Sequence, residues 1–86
     1  MTKNSQWFTY IIRCADNTLY TGISNHLEKR IDSHNSGNGA KYTKGRGPVK
    51  LVYKEKSKDK STASKREAEI KKLTRKEKLK LISLST

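Results

Sequence analysis

Five side chains in this sequence have the chemistry to act on a charged substrate: Tyr10, Tyr20, Arg30, His34 and Glu67. Arg30 and His34 stand one helical turn apart, so a helix would hold them on one side. Tyr10 and Tyr20 are separated by a short turn-forming stretch, so a hairpin could set them side by side. A cleft holding phenols, a guanidinium, an imidazole and one carboxylate, on a basic chain, suits metal-assisted phosphodiester hydrolysis. The carboxylate would anchor a hard cation such as Mg²⁺, which keeps most of its waters and takes few protein ligands. The cation would stabilise the departing oxygen, and the arginine would neutralise charge in the transition state. A general base would activate water. Each residue also has a plainer reading. Strand tyrosines are commonly packing residues, histidines often pack partly buried, and a helical glutamate can end in a local salt bridge.

The elements must then position these groups. "WFTYIIRC" (7–14) is aromatic and β-branched and reads as a strand, and "LYTGI" (19–23) reads as a second. With Ala15, Asp16 and Asn17 as a three-residue loop, Asn17 takes the left-handed position that asparagine tolerates. That loop pairs Cys14 with Thr18, Ile12 with Tyr20 and Tyr10 with Gly22, so the two tyrosines share a face. A two-residue loop would reverse one of them. Gly22, beside Tyr10, leaves space either for a ligand backbone or for tight packing. Asn25 and Glu28 resemble a capping box opening a helix that runs to about Asn35, with Leu27 and Ile31 on its buried stripe and Arg30 and His34 at the margin. "SGNGAKYTKGRGP" (36–48) is a loop, "VKLVYK" (49–54) a third strand and "KEKSKDKS" (54–61) a polar connector. A helix from about Thr62 to Leu73 carries Ala63, Ile70 and Leu73 on its apolar side. Glu67 falls within that stripe, whereas Glu69 reads as surface. Thr74 and Glu77 make another capping box, starting a helix to about Ile82. The fold class is α+β: a small three-stranded antiparallel sheet flanked by helices.

At 86 residues the chain is expected to be one domain, residues 1–86, with a core of about 6–82 and a frayed tail. Lys and Arg outnumber Asp and Glu, 20 to 8, for a formal charge of +12, and an excess of that size calls for a polyanionic partner, nucleic acid first. Lys41, Lys44 and Arg46 in the glycine-rich loop are the expected phosphate contacts. The single Cys14 excludes an internal disulfide and reads as a small core residue. No apolar run is long enough for a membrane span, and the first residues lack the apolar segment of a secretion signal, so a cytoplasmic location is expected.

"FTY" at 8–10, "YTG" at 20–22, Arg30, His34 and Glu67, at these spacings, resemble the GIY-YIG nuclease superfamily over nearly the whole chain. "WFTYIIRCADNTLYTGIS", "NSGNGAKYTKGRGPVKLVY" and "REAEIKKLTRKEK" look like its small, single-domain bacterial branch. The resemblance implies that Tyr20 is the general base or positions the attacking water, supported by Tyr10. It implies that Arg30 binds the scissile phosphate, that His34 assists Tyr20 or the phosphate, and that Glu67 holds one Mg²⁺ or Mn²⁺. Relatives include homing endonucleases, restriction enzymes and an excision-repair nuclease. DNA rather than RNA, in repair or recombination, is therefore the expected substrate. Most characterised relatives add a DNA-binding or partner domain, so a protein partner supplying specificity fits this chain. Larger members also carry a C-terminal active-site asparagine that has no counterpart here after Glu67. A phenol ionising near pH 10 is a demanding base, and Arg30 and a metal would have to favour phenolate. The rival expectation is a non-catalytic nucleic-acid-binding module that keeps the fold. A protein-interaction domain with a merely solvated basic surface is a third.

Overall fold

A computed structural model describes residues 6–36 and 47–84 of the chain. Lys41, Lys44 and Arg46 lie outside the described residues. The element order is β1 (Trp7–Arg13), β2 (Leu19–Ser24), α1 (Leu27–Asn35), β3 (Lys50–Ser57), α2 (Lys60–Lys71) and α3 (Arg75–Leu84). The three strands form one antiparallel sheet in the order β2-β1-β3, so the most apolar strand is central.

The β1–β2 turn sets the register. The Cys14 N–H donates to the Thr18 carbonyl at 2.9 Å and the Asn17 N–H to the Cys14 carbonyl at 2.9 Å, with Asn17 at φ 72°. Asp16 Oδ1 accepts from the Thr18 hydroxyl at 2.6 Å and closes the loop. Ile12 therefore pairs with Tyr20 and Tyr10 with Gly22, as the three-residue loop requires.

Strand alternation divides the interior in two. Tyr10, Ile12 and Cys14 face α1, and Leu27, Ile31, Tyr20 and Leu51 pack around them. Ile11 faces the other way, onto Ile70 of α2 and Ile82 of α3. The Thr9 hydroxyl, on that second face, donates to the Ala63 carbonyl at 3.1 Å and ties β1 to α2. The β1–β3 register shifts between Ile11 and Ile12. This irregularity turns both Val52 and Tyr53 toward α2 and α3 while Leu51 keeps to the α1 side.

Three local readings change. β3 continues through Ser57 into the stretch read as a connector. There the alternation is of charges: Glu55 accepts from Tyr53 Oη at 2.5 Å and from Arg66 Nε at 2.9 Å, under α2. α2 then begins at Lys60, because Asp59 caps it, accepting from the Thr62 N–H at 2.8 Å. Such a cap contributes about 1 kcal/mol. The Asn25–Glu28 box does not form. His26 is the N-cap without a side-chain bond, and its N–H donates to Ser24 Oγ at 3.0 Å. The Thr74–Glu77 box does form, with reciprocal bonds of 2.9 and 3.1 Å.

Candidate active site

On the α1 side of the sheet, β1 supplies Tyr10, β2 supplies Tyr20, and α1 supplies Arg30 and His34. His34 sits at the centre of the contact and not at its margin: it is 1% exposed, while Leu27 and Ile31 are only half-buried. The reason is a polar partner in the core. Tyr10, 0% exposed, places its hydroxyl 2.9 Å from His34 Nε2. The His34 ring also meets both phenols edge to face, at centroid distances of 6.0 Å to Tyr10 and 5.4 Å to Tyr20. A buried imidazole between two aromatic rings gains apolar contact and one satisfied nitrogen together.

Charge fixes the protonation states. Burial, aided by the nearby Arg30 cation, pushes the His34 imidazole below its ordinary value, so it is neutral at pH 7. Burial pushes the Tyr10 phenol up, and the polar contact with Arg30 only partly opposes this. The same contact with Tyr10 holds the Arg30 guanidinium above its ordinary value, and Tyr20 adds to it. Arg30 can only donate, so toward it the Tyr10 oxygen is an acceptor. Which of Tyr10 Oη and His34 Nε2 carries the proton between them follows the imidazole tautomer.

Gly22 is a matter of packing. A Cβ there would lie 2.7 Å from Tyr10 Oη, 2.9 Å from its Cζ and 3.1 Å from Tyr20 Cε2. The space beside Tyr10 is taken by the two tyrosines themselves, which leaves none for a ligand backbone.

Glu67 comes from α2. Its carboxylate is felt by the Tyr10 phenol. Lys71 Nζ, one turn on, lies 3.3 Å from Glu67 Oε2 and 6.0 Å from the centroid of the Tyr20 ring. So Glu67 is not a buried lone acid; its side chain is 23% exposed and holds the local salt bridge that was its plainer reading. Glu69 is at the surface, bridged to Arg66 at 3.1 Å. Among the described residues no three His, Cys, Asp or Glu side chains gather as a metal cage. One accessible carboxylate still fits a hard cation whose other ligands are water and a substrate phosphate. Lys71 is the side chain that sequence reasoning missed. The signal was present as an i,i+4 Glu–Lys pair.

The sequence of this chain matches the model of the GIY-YIG catalytic domain over residues 6–80. The chain belongs to the GIY-YIG family. It is 62% identical over 76 residues to a UPF0213 protein of Clostridium perfringens, covering 88% of this chain and 82% of that one. A UPF0213 protein of Staphylococcus saprophyticus is 58% identical over 76 residues, covering 88% and 93%. Among solved structures, the solution NMR structure of a UPF0213 protein from Bacillus halodurans superposes with a TM-score of 0.60 at 43% identity, covering 92% of this chain and 84% of that one. A second NMR structure, of a protein from E. faecalis, gives 0.62 at 35% identity, covering 99% and 92%. These likenesses show the family and the α+β fold, and the family points to nuclease chemistry on nucleic acid. Among the described residues no helix is long and apolar enough to cross a membrane.

Proposed function

We propose that this chain is an endonuclease that hydrolyses phosphodiester bonds in DNA with the help of one Mg²⁺ or Mn²⁺ at Glu67. The observation that carries the reading is the pair of tyrosines joined through a neutral His34, with Arg30 beside both. Two phenols on one sheet face are thereby given different tasks. Tyr10 is sealed in the core with its hydroxyl hydrogen-bonded to His34 Nε2, so it positions the cluster. Tyr20 is only half-buried and is the phenol that water can reach.

In the mechanism, Arg30 binds the scissile phosphate and neutralises charge as the phosphorus becomes five-coordinate. Tyr20, as phenolate, takes a proton from water, whose oxygen bonds to phosphorus as the bond to the leaving oxygen breaks. Arg30 and His34 hold Tyr20 toward that water. The cation, when bound at Glu67, supplies charge stabilisation at the leaving oxygen. Lys71 must release Glu67 for this, and its side chain is exposed enough to turn away. The setting we propose is repair or recombination, in the cytoplasm and with a partner protein supplying specificity.

The Lys71–Glu67 pair is also the observation that favours the rival reading, a binding module, because it neutralises the acid without a metal. Nicking of a panel of labelled DNA and RNA structures with Mg²⁺, Mn²⁺ or EDTA decides between them. Tyr20→Phe and Glu67→Gln are each expected to lower the cleavage rate at least about a hundredfold, with little change in nucleic-acid affinity. Losing both should cost much less than the product of the two factors, as for groups that act together. A wild-type chain that cleaves its best substrate no faster than Glu67→Gln leaves only the binding module.

A further inference from the structure

A concavity lies on the other flank of α1 from the tyrosine cluster. It is a groove of about 590 Å³ between α1 and the β1–β3 half of the sheet, within the roughly 300–1,000 Å³ range of small-ligand sites. Its walls are apolar: Phe8, Leu27, Ile31 and Leu51. Glu28 and Asp32 stand on its α1 side and Lys54 on its strand side, with Lys54 Nζ 6.0 Å from the centroid of the Phe8 ring. At about 100° per residue, Glu28 and Asp32 project roughly 160° around α1 from Arg30 and His34. Lys54 pairs across the strands with Tyr10, so the groove adjoins the tyrosine cluster on one sheet face.

The two acids are out of keeping with the rest of the chain. Of its 8 acidic residues, the other six are held by a structural partner. Asp16 closes the hairpin, Asp59 caps α2, and Glu77 completes a capping box. Glu55 and Glu69 bridge Arg66, and Glu67 bridges Lys71. Glu28 and Asp32 have no hydrogen bond or ion pair to their side chains among the described residues, and both face the groove. Carboxylates there repel a phosphate. They accept hydrogen bonds well from an amino group, and the apolar walls with an aromatic ring suit a flat, partly apolar occupant.

We propose that this groove is a base-recognition pocket. It takes an unpaired nucleobase carrying an exocyclic amino group, from a single-stranded segment next to the cleaved bond. The base lies against Phe8 and the aliphatic walls, its amino N–H groups donate to Glu28 or Asp32, and Lys54 at the rim meets the phosphate of the same nucleotide. A base in a duplex has its faces stacked and its amino group paired, so it cannot enter. The proposal rests on the reading of the tyrosine cluster as a nucleic-acid site. It makes the substrate class a fork, flap or gap, with α1 between the strand that is cut and the strand that is read.

The test is fluorescence anisotropy of the full chain with (dC)8 and (dT)8 in EDTA, where no cleavage intervenes. Cytosine offers an amino donor and thymine does not. The wild type is expected to prefer (dC)8 about five- to tenfold, the lower end for one base-reading contact. The variant Glu28→Ala/Asp32→Ala, on an exposed helix face, removes two negative charges. It should bind (dT)8 more tightly by electrostatics, yet its preference for (dC)8 should fall to about one. Phe8→Leu keeps the apolar volume without the ring and should weaken both oligonucleotides about fivefold. A ratio near one in the wild type, or a ratio unchanged by the double substitution, overturns the pocket. So does binding of an apolar, lysine-rich peptide that the double variant loses, without any base preference, which would make the groove a protein site. Base preference without cleavage would leave the pocket standing and remove the nuclease. Cleavage lost in Tyr20→Phe, with no base preference, would do the reverse.

Discussion

Gly22→Ala adds one methyl group at the point where two strands and two tyrosines meet. The methyl carbon would stand 2.7 Å from Tyr10 Oη and 2.9 Å from Tyr10 Cζ, well inside van der Waals contact. The ring must move, yet it is fully buried and its hydroxyl is bonded to His34 at 2.9 Å. Overpacking of this kind costs about 1–3 kcal/mol. Breaking the buried Tyr10–His34 bond adds a penalty of about 1–3 kcal/mol if the imidazole is left without its partner. Against this, alanine restricts the unfolded chain and returns about 0.4–1 kcal/mol. A net loss of about 1–5 kcal/mol is expected, centred on about 3 kcal/mol, a large part of the roughly 5–15 kcal/mol that holds a domain folded. Urea denaturation followed by circular dichroism measures it. A double-mutant cycle with Tyr10→Phe locates it, because removing Oη relieves the closest contact and leaves the one to Cζ. The alanine should then cost about 1 kcal/mol less. A cost below about 0.5 kcal/mol, or an equal cost in both backgrounds, would refute the account of how the cluster is packed.

The remaining expectations are as follows. His34 has its proton affinity lowered by burial and by Arg30, so the unfolded chain takes up a proton first as pH falls below the ordinary value of 6.5. Stability is therefore fully present above that pH and declines below it, and urea midpoints at pH 7.5 and 5.5 should differ less in His34→Gln than in the wild type. Thr21, 3% exposed, has a hydroxyl with no partner among the described residues, so Thr21→Val should raise stability by about 1 kcal/mol in the same assay. Reversing charge at Lys41, Lys44 and Arg46 should weaken DNA binding for all sequences and lower the slope of log affinity against log salt by about 2–3. An unchanged slope would remove the loop from the interface.

The hairpin and the first helix were legible because their signals are local. A three-residue loop with Asn17 in the left-handed position fixes which strand residues share a face, and that placed Tyr10 beside Tyr20. The limits of β3 and α2 were less legible. Hydrophobic alternation stops before Lys54, whereas the strand goes on with Glu55 and Ser57 facing inward, and Glu55 is tolerated there because Tyr53 donates to it and Arg66 reaches it from a helix eleven residues further on. Sequence spacing does not report a partner of that kind. The depth of His34 was missed for a similar reason: helical projection counts an imidazole as polar, and it is the hydroxyl of Tyr10 that lets it lie in the core. The state of Glu67 was legible only as an i,i+4 spacing to Lys71 among many lysines, and the structure shows that this is the lysine that bridges it.

The bond between Tyr10 and His34 bears on how relatives of this chain are compared. These two residues hold the sheet to α1 from within the core, so a lineage that gave up chemistry would still be selected to keep them. Their retention in a sequence reports a folded domain and carries little information about activity. Tyr20, Arg30 and Glu67 are each partly open to solvent and take a smaller share in holding the core. In a lineage without a substrate those three positions are free to drift first. On the proposed mechanism, sorting a family by them, rather than by the first tyrosine triplet, would separate members with an intact reaction centre from members that keep only its frame.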